Sequence, residues 1–176
     1  MDICRDIYSI IRSKLNEILE LRSTGTLKAD NTFVSEGDLL CESLIFSYLK
    51  DNLANYIVIS EESNNDISDI DGAEFVVTVD PIDGTENFVS GLKEWGVGIS
   101  VYRNGKHYQS MIALPELDIC FCTGEKLERI KKSRICGLSS YMTPEDFEVL
   151  GGGLEYRIMG CCMYNLEDNL PTEIRG

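Results

Sequence analysis

The stretch VTVDPIDGTENF, residues 77–88, places two carboxylates close together directly after an apolar run. Asp80 follows that run at once, Pro81 is expected to stop the strand, and Asp83 lies three residues after Asp80. A second apolar run, YIVIS at 56–60, leads into Glu61 and Glu62. If the two runs are neighbouring parallel strands, these acids emerge at one carboxyl edge of a sheet, where open α/β sheets bind ligands.

Carboxylates gathered at such an edge repel one another unless a cation lies between them. A set of oxygen ligands favours Mg²⁺ or a similar hard ion. Gly84 lets the backbone approach a ligand closely, and a helix beginning there would direct free N–H groups and its positive end toward a phosphate. Thr85 adds a hydroxyl beside them. The stretch therefore predicts a metal and phosphate site, with a metal-activated water attacking phosphorus.

Simpler interpretations of the same residues remain open. Asp80-Pro81 and Asp83-Gly84 can form a turn that carries no chemistry, and Glu62 taken alone is typical of a solvated loop acid. Phosphatases of the haloacid dehalogenase type are excluded, because they need Asp-x-Asp-Gly-Thr and Pro81 stands where their nucleophilic aspartate belongs.

Composition narrows the classes of partner. The net charge of −14 over 176 residues argues against nucleic acid and against an anionic membrane surface as partners. Without an apparent signal peptide, the cytoplasm and reduced thiols are the expected setting for the seven cysteines. Small buried hydrophobes are the favoured interpretation of these cysteines, and a zinc site from Cys120, Cys122, Cys161 and Cys162 is the alternative. The single histidine, His107, is expected to be structural, and Trp95 is expected to lie in the core.

The surrounding pattern predicts an α/β fold. Apolar residues at helical spacing predict an amphipathic helix over residues 2–22, and Ser35 is a good N-cap for a second helix with Asp38 in its first turn. Residues 23–33 are predicted to be a loop, and residues 95–115 a hairpin turning at Asn104-Gly105. Further predictions are strands in YIVIS, FVVTV, LDICFCT and RICGLSS, a short helix at 84–90 and a helix in TPEDFEVL.

Several motifs of this chain resemble one known family. DPIDGTENFVSGL at 80–92 closely resembles the signature of the inositol monophosphatase family of Mg²⁺-dependent, lithium-sensitive phosphatases. The family's earlier Lys…Val-Thr-x-x-Asp segment is similar to KADNTFVSEGD at 28–38, and its Glu-Glu segment is similar to VISEES at 58–63. The strand pair that follows the family signature is similar to WGVGISVYRNGK. YRIMGCCMYNL at 156–166 resembles its later Arg-x-x-Gly-Ser-Ala-Ala segment.

The resemblance implies a layered α/β fold with two or three Mg²⁺ ions in the family, of which one or two are expected here. It assigns metal binding to Glu61, Asp80, the Ile82 carbonyl and Asp83. Gly84 and Thr85 would bind phosphate through their N–H groups. The Thr85 hydroxyl would orient the attacking water together with Glu61, and Asp38 would support the site or accept a proton from Thr85. A homodimer is also implied.

The chain also departs from the family pattern. The late Trp-Asp segment, whose aspartate binds the second metal in the family, has no counterpart here, and Asp168 is the one substitute considered. We therefore expect an N-terminal metal- and phosphate-binding lobe at 1–112, an abbreviated second lobe at 113–176, a weakened second metal site and little phosphatase activity.

Two functions follow from these expectations. The first is a phosphomonoesterase acting on a small phosphorylated metabolite. Inositol monophosphate is the default substrate, and histidinol phosphate is a second candidate because FVSGLKEWG is somewhat like phosphatases acting on it. The other is a truncated, non-catalytic metal-binding remnant that serves as a regulatory or dimerisation partner.

Overall fold

The computed structural model describes residues 1–29, 32–63, 67–125, 134–138, 142–148, 150 and 152–164. Its helices are α1 (Ile3–Ser13), α2 (Leu15–Glu20), α3 (Glu36–Asn52), α4 (Thr85–Val89) and α5 (Pro144–Glu148). Its strands are β1 (Thr26–Leu27), β2 (Phe33–Val34), β3 (Tyr56–Ser60), β4 (Phe75–Asp83), β5 (Gly96–Arg103), β6 (Lys106–Leu114), β7 (Ile119–Cys122), β8 (Ile135–Leu138) and β9 (Glu155–Ile158). This mixed α/β architecture confirms the predicted fold class.

A five-stranded sheet in the order β3-β4-β5-β6-β7 forms the centre of the molecule. β3 and β4 are parallel, as predicted, and the other pairs are antiparallel. The β5–β6 hairpin turns at Asn104 and Gly105, both with positive φ, as its Asn-Gly dipeptide predicts. Strands β8 and β9 form a separate parallel pair.

Helices α1 and α3 pack beside each other on this sheet, α3 against β4 and α1 against β6 and β7. The face of α1 that carries Ile3, Ile7 and Ile11 is fully buried, since each is at most 1% exposed. Trp95 is also fully buried, and its ring packs edge-on against Phe88 of α4 with centroids 5.1 Å apart. The expectation that Trp95 belongs to the core is confirmed.

Strand β4 continues past Pro81, so the prediction that this proline stops the strand is wrong. Pairing with β3 ends at Ser60–Val79, and the register with β5 slips between Asp80–Gly98 and Asp83–Gly96. A bulge of this kind accommodates a residue without an N–H donor. The strand therefore carries both Asp80 and Asp83 instead of ending between them.

Two other local predictions need correction. The single helix predicted over 2–22 breaks at Lys14, where φ is −104° and ψ is 4°. The Ser13 hydroxyl donates to the Ile10 carbonyl at 2.7 Å, and such local bonding competes with helical backbone bonding. The predicted loop at 23–33 contains strand β1, whose β-branched Thr26 pairs antiparallel with Val34 of β2.

The boundary predicted after residue 112 falls inside β6, and β7 pairs with β6. The central sheet therefore spans this position, and the division into lobes at 1–112 and 113–176 stays a prediction. None of the helices in the described ranges is long and apolar enough to cross a membrane.

Candidate metal and phosphate site

The parallel pairing of β3 and β4 delivers acids to one edge of the sheet. Ser60 lies opposite Val79, so Glu61 follows its strand beside Asp80, and the Glu61 N–H donates to the Val79 carbonyl at 3.3 Å. A cavity of about 680 Å³ opens at this edge. Its lining includes Glu61, Ile82, Asp83, Gly84, Thr85 and Glu86.

Asp80 lies in an environment that disfavours a negative charge. Burial, followed by repulsion from Glu61 and Asp83, raises the pKa of Asp80 to about 8. Its Oδ1 atom is buried and has no hydrogen-bond partner among the described residues. An unpartnered carboxylate oxygen surrounded by other carboxylates fits a hard divalent cation.

The acids converge without forming a finished coordination cage. In the part of the chain that the structure describes, no three histidine, cysteine, aspartate or glutamate side chains are grouped so that they could hold a metal ion as they stand. The donor set of acid and carbonyl oxygens is one that suits Mg²⁺ or Ca²⁺ and not a soft metal.

Helix α3 contributes Asp38 to the same edge. Ser35 caps the helix, and its N–H and hydroxyl donate to Asp38 Oδ2 at 2.8 and 2.5 Å. Asp38 is fully buried, which raises its pKa despite these bonds. The Thr85 hydroxyl lies 3.0 Å from both Asp38 Oδ1 and the Ile82 carbonyl oxygen, so it can donate to either. The structure thus brings together Asp38, Thr85 and Ile82.

Gly84 precedes α4 in the left-handed conformation, with φ 81°. A Cβ atom here would lie 2.9 Å from Cys161 Cβ and 3.1 Å from the Gly160 carbonyl oxygen. We expected the missing side chain to admit a ligand. The space that a Cβ atom would take is occupied by residues of this chain, so the glycine is required for the backbone turn and for the approach of the 160–161 segment, and the approach of a ligand to its backbone stays a prediction.

The segment 158–164 contacts the site through residues that sequence reasoning missed. The Met163 N–H donates to Asp83 Oδ2 at 2.6 Å, and the Cys161 thiol donates to the same oxygen at 3.2 Å. Asn87 Nδ2 donates to the Glu94 and Met159 carbonyls at 2.7 and 2.6 Å. The similarity of this segment to a family motif indicated its importance, but no local pattern identified Asp83 as its partner.

Glu62 is not the solvated loop acid that we expected. Its side chain is 5% exposed, and the Lys28 ammonium lies 2.6 Å from one carboxylate oxygen and 2.8 Å from the other. Burial raises the pKa of Glu62, while Lys28 opposes that change. The ion pair ties the turn after β3 to the segment that follows β1.

The cysteines considered for a zinc site do not come together in the structure. Cys120 and Cys122 lie side by side on β7 with their sulfur atoms 3.8 Å apart, whereas Cys161 is buried beside Asp83. His107 lies on β6 and its Nε2 is 2.8 Å from the Ser110 hydroxyl, outside the site. Asp168, the suggested substitute metal ligand, lies outside the described residues.

Comparisons with known proteins agree with this architecture. The model of the inositol monophosphatase family matches residues 1–142. A Nus factor SuhB of Vibrio cholerae is 36% identical over 83 residues, covering 46% of this chain and 30% of that protein. An inositol-1-monophosphatase of Mesorhizobium japonicum is 30% identical over 156 residues, covering 86% of this chain and 54% of that protein. The matches thus span about a third to a half of these relatives' lengths.

Solved structures share the fold at low sequence identity. A crystal structure of an IMPase/NADP phosphatase complexed with Mg²⁺ and phosphate superposes with a TM-score of 0.68 at 20% identity, covering 92% of this chain and 70% of that one. At this identity the likeness concerns the fold.

Proposed function

Since this chain belongs to the inositol monophosphatase family, we propose that it is a Mg²⁺-dependent phosphatase acting on a small phosphate monoester. The observation that carries the proposal is the buried Asp80 Oδ1, which has no hydrogen-bond partner among the described residues, on a carboxyl that is repelled by Glu61 and Asp83. A cytoplasmic location and a homodimeric assembly are part of the same proposal.

In this proposal Glu61, Asp80, Asp83 and the Ile82 carbonyl hold the metal. Divalent ions at such a site neutralise phosphate charge and acidify water. Asp83 Oδ2 already accepts bonds from Met163 and Cys161. Its Oδ1 is therefore the oxygen assigned to a metal.

The proton-handling groups of the proposed reaction are Glu61, Thr85 and Asp38. Asp38 Oδ1 accepts from the Thr85 hydroxyl, which leaves the lone pairs of that hydroxyl to orient a water molecule. Glu61 accepts the proton that this water loses when its oxygen bonds to phosphorus, the P–O bond to the alcohol breaks in the same displacement, and the leaving alkoxide takes a proton from solvent. The N–H groups of Gly84 and Thr85 bind the phosphate at the first turn of α4, where backbone donors lack helical partners.

The cavity lining bears on the substrate. None of the described residues that line it is a lysine or an arginine, so the described part of the lining offers no side-chain cation for a second phosphate. Phe33, Leu138 and Ile158 form apolar walls, and Glu86 lies on the polar side. We therefore propose a substrate with one phosphate. Inositol monophosphate is the first candidate, and histidinol phosphate is the second, because its amine suits Glu86.

A screen of purified protein for phosphate release tests this proposal. The panel contains inositol 1-phosphate, histidinol phosphate and a nucleoside 3′,5′-bisphosphate, each with Mg²⁺ and with a chelator. We expect slow Mg²⁺-dependent release from a monophosphate, in keeping with the weakened second metal site, and loss of at least 100-fold in kcat in Asp83→Asn. Asp51→Asn, which removes an exposed charge from the end of α3, is the matched control.

Two outcomes would redirect the interpretation. Binding of Mg²⁺ without turnover on any ester would favour the non-catalytic alternative, a regulatory or dimerisation partner. Hydrolysis that is equally fast in the chelator would contradict the metal-dependent mechanism itself.

A further inference from the structure

Helix α3 buries a second carboxylate, Glu42, that has no role in the reaction proposed above. Glu42 is 8% exposed and follows Asp38 by four residues, so the two acids lie on the same face of the helix. A buried carboxylate is destabilising unless hydrogen bonds compensate its lost hydration. The partners of Glu42 therefore indicate why an acid is present there.

Both oxygens of Glu42 accept bonds from serines that flank the acids after β3. Ser60, the last residue of β3, donates its hydroxyl to Oε1, and Ser63 donates its hydroxyl to Oε2 at 2.8 Å. Ser60 is 4% exposed. Since Glu61 lies between these two serines, its backbone is attached to α3 on both sides.

From this arrangement we propose that Glu42 is a positioning residue, which holds the Glu61 backbone in place for divalent-cation binding. The inference rests on the proposed function, because it requires Glu61 to bind the metal. Glu42 itself touches neither the cavity nor a reacting atom.

The position of Glu42 on α3 explains how Glu61 and the Thr85 hydroxyl keep a fixed distance from each other. Asp38 binds the Thr85 hydroxyl at the start of α4, and Glu42 binds the serines around Glu61. One helix thereby sets the distance between the proposed metal ligand and the proposed water-orienting hydroxyl. Residues that orient metal ligands from outside the coordination shell typically change metal affinity or activity by about 10–100-fold when mutated.

The test compares Glu42→Ala with Glu42→Gln in the full chain, with thermal unfolding followed against Mg²⁺ concentration. We expect Glu42→Ala to raise the Mg²⁺ concentration for half-maximal stabilisation by about 10–100-fold. Glu42→Gln keeps an acceptor and a donor for the two serines, and it should stay within about 3-fold of the wild type. Ser43→Ala, which alters an exposed serine on the same helix, is the control.

Amide hydrogen exchange provides a second readout that does not need metal. Glu42→Ala should exchange faster at residues 60–63 without Mg²⁺, and exchange in β5 and β6 should be unchanged. If Glu42→Ala does not fold, Ser63→Ala removes one of the two bonds and should raise the half-saturating Mg²⁺ concentration by about 3–10-fold.

The outcomes separate this inference from the function on which it rests. If wild-type protein is not stabilised by Mg²⁺, the proposed metal site is wrong, and the inference falls with it. If wild-type protein responds but Glu42→Ala shows the same half-saturating concentration with only a lower melting temperature, Glu42 is merely structural and the inference is overturned while the function stands.

Discussion

Replacing Asp80 with asparagine should stabilise the metal-free protein, which is the reverse of what most substitutions at a buried polar position do. In the folded state Asp80 is desolvated and faces Glu61 and Asp83, so its pKa rises to about 8. An asparagine removes the charge, and its amide can donate to the Glu61 carboxylate. Repulsion is thereby replaced by a hydrogen bond.

The pKa difference sets the size of this effect. A change in proton affinity of tenfold corresponds to about 1.4 kcal/mol, so a rise from 3.8 to about 8 sets an upper limit of roughly 6 kcal/mol. Because neighbouring acids share the proton and partial exposure screens them, we expect about 1–3 kcal/mol. For a chain of this size that corresponds to roughly 2–12 °C in melting temperature.

The sign of the pH dependence follows from linkage. The folded state binds this proton more tightly than the unfolded state, so the penalty from Asp80 is absent below pH 4, grows as pH rises toward 8 and is constant above. Urea unfolding measures the difference in free energy of unfolding between wild type and Asp80→Asn, in a chelator at pH 5 and at pH 8.5. The advantage of Asp80→Asn should be larger at pH 8.5.

Addition of Mg²⁺ should reverse the ranking of the two proteins. A ligand at 1,000 times its dissociation constant stabilises the folded state by about 4.1 kcal/mol, which exceeds the expected advantage of Asp80→Asn, and this gain should appear in wild type and be lost in Asp80→Asn. Asp51→Asn, with the same change in net charge, should stay within about 0.5 kcal/mol of wild type under each condition. Equal stability of wild type and Asp80→Asn in chelator at pH 8.5 would refute the reasoning, as would a pH-independent difference.

Two further substitutions test the framework of the site by urea unfolding. Gly84→Ala should lower the free energy of unfolding by about 2–4 kcal/mol, because it adds a clash with Cys161 to a strained backbone. Gly91 is the control, since it has a similar φ of 82° but no atom within 4 Å of an added Cβ. Gly91→Ala should lower the free energy of unfolding by only about 1 kcal/mol. Lys28→Met should destabilise by about 1–3 kcal/mol at pH 8 but little at pH 4, where Glu62 is largely protonated. Lys28 lowers the folded-state pKa of Glu62, so its removal raises that pKa further and the loss grows with pH.

Specific results would contradict these two expectations. Equal losses in Gly84→Ala and Gly91→Ala would show that the contact with Cys161 is not limiting. A loss in Lys28→Met that does not change with pH would show that packing of the lysine stem, and not its charge, supports Glu62.

The acids at the strand ends were accessible to prediction because their pattern is local. An apolar run that leads directly into Asp80 marks a strand by itself, although β4 runs on to Asp83, and a similar run before Glu61 marks a second strand. Parallel pairing then places both at one edge of the sheet. The start of α3 could likewise be predicted, because Ser35 and Asp38 are three residues apart, which is the spacing of a helix N-cap and its partner.

The supporting contacts could not be predicted, because they join distant parts of the chain. The bond from Met163 to Asp83 spans 80 residues, and the pair Lys28–Glu62 spans 34. Neither involves a periodicity or a motif spacing. The extension of β4 past Pro81 also depends on a slip in register with β5, which only the assembled sheet reveals.

The docking of α1 on β6 and β7 has a consequence for synthesis of the chain. The Ile3 N–H donates to Gln109 Oε1, a partner 106 residues later in the sequence. At a translation rate of about 5–20 residues per second, the nascent helix waits roughly 5–20 s for that partner. During this time its isoleucine face is open to solvent and to other chains. Ribosome-associated chaperones should therefore engage the first 20 residues before the sheet exists to cover them.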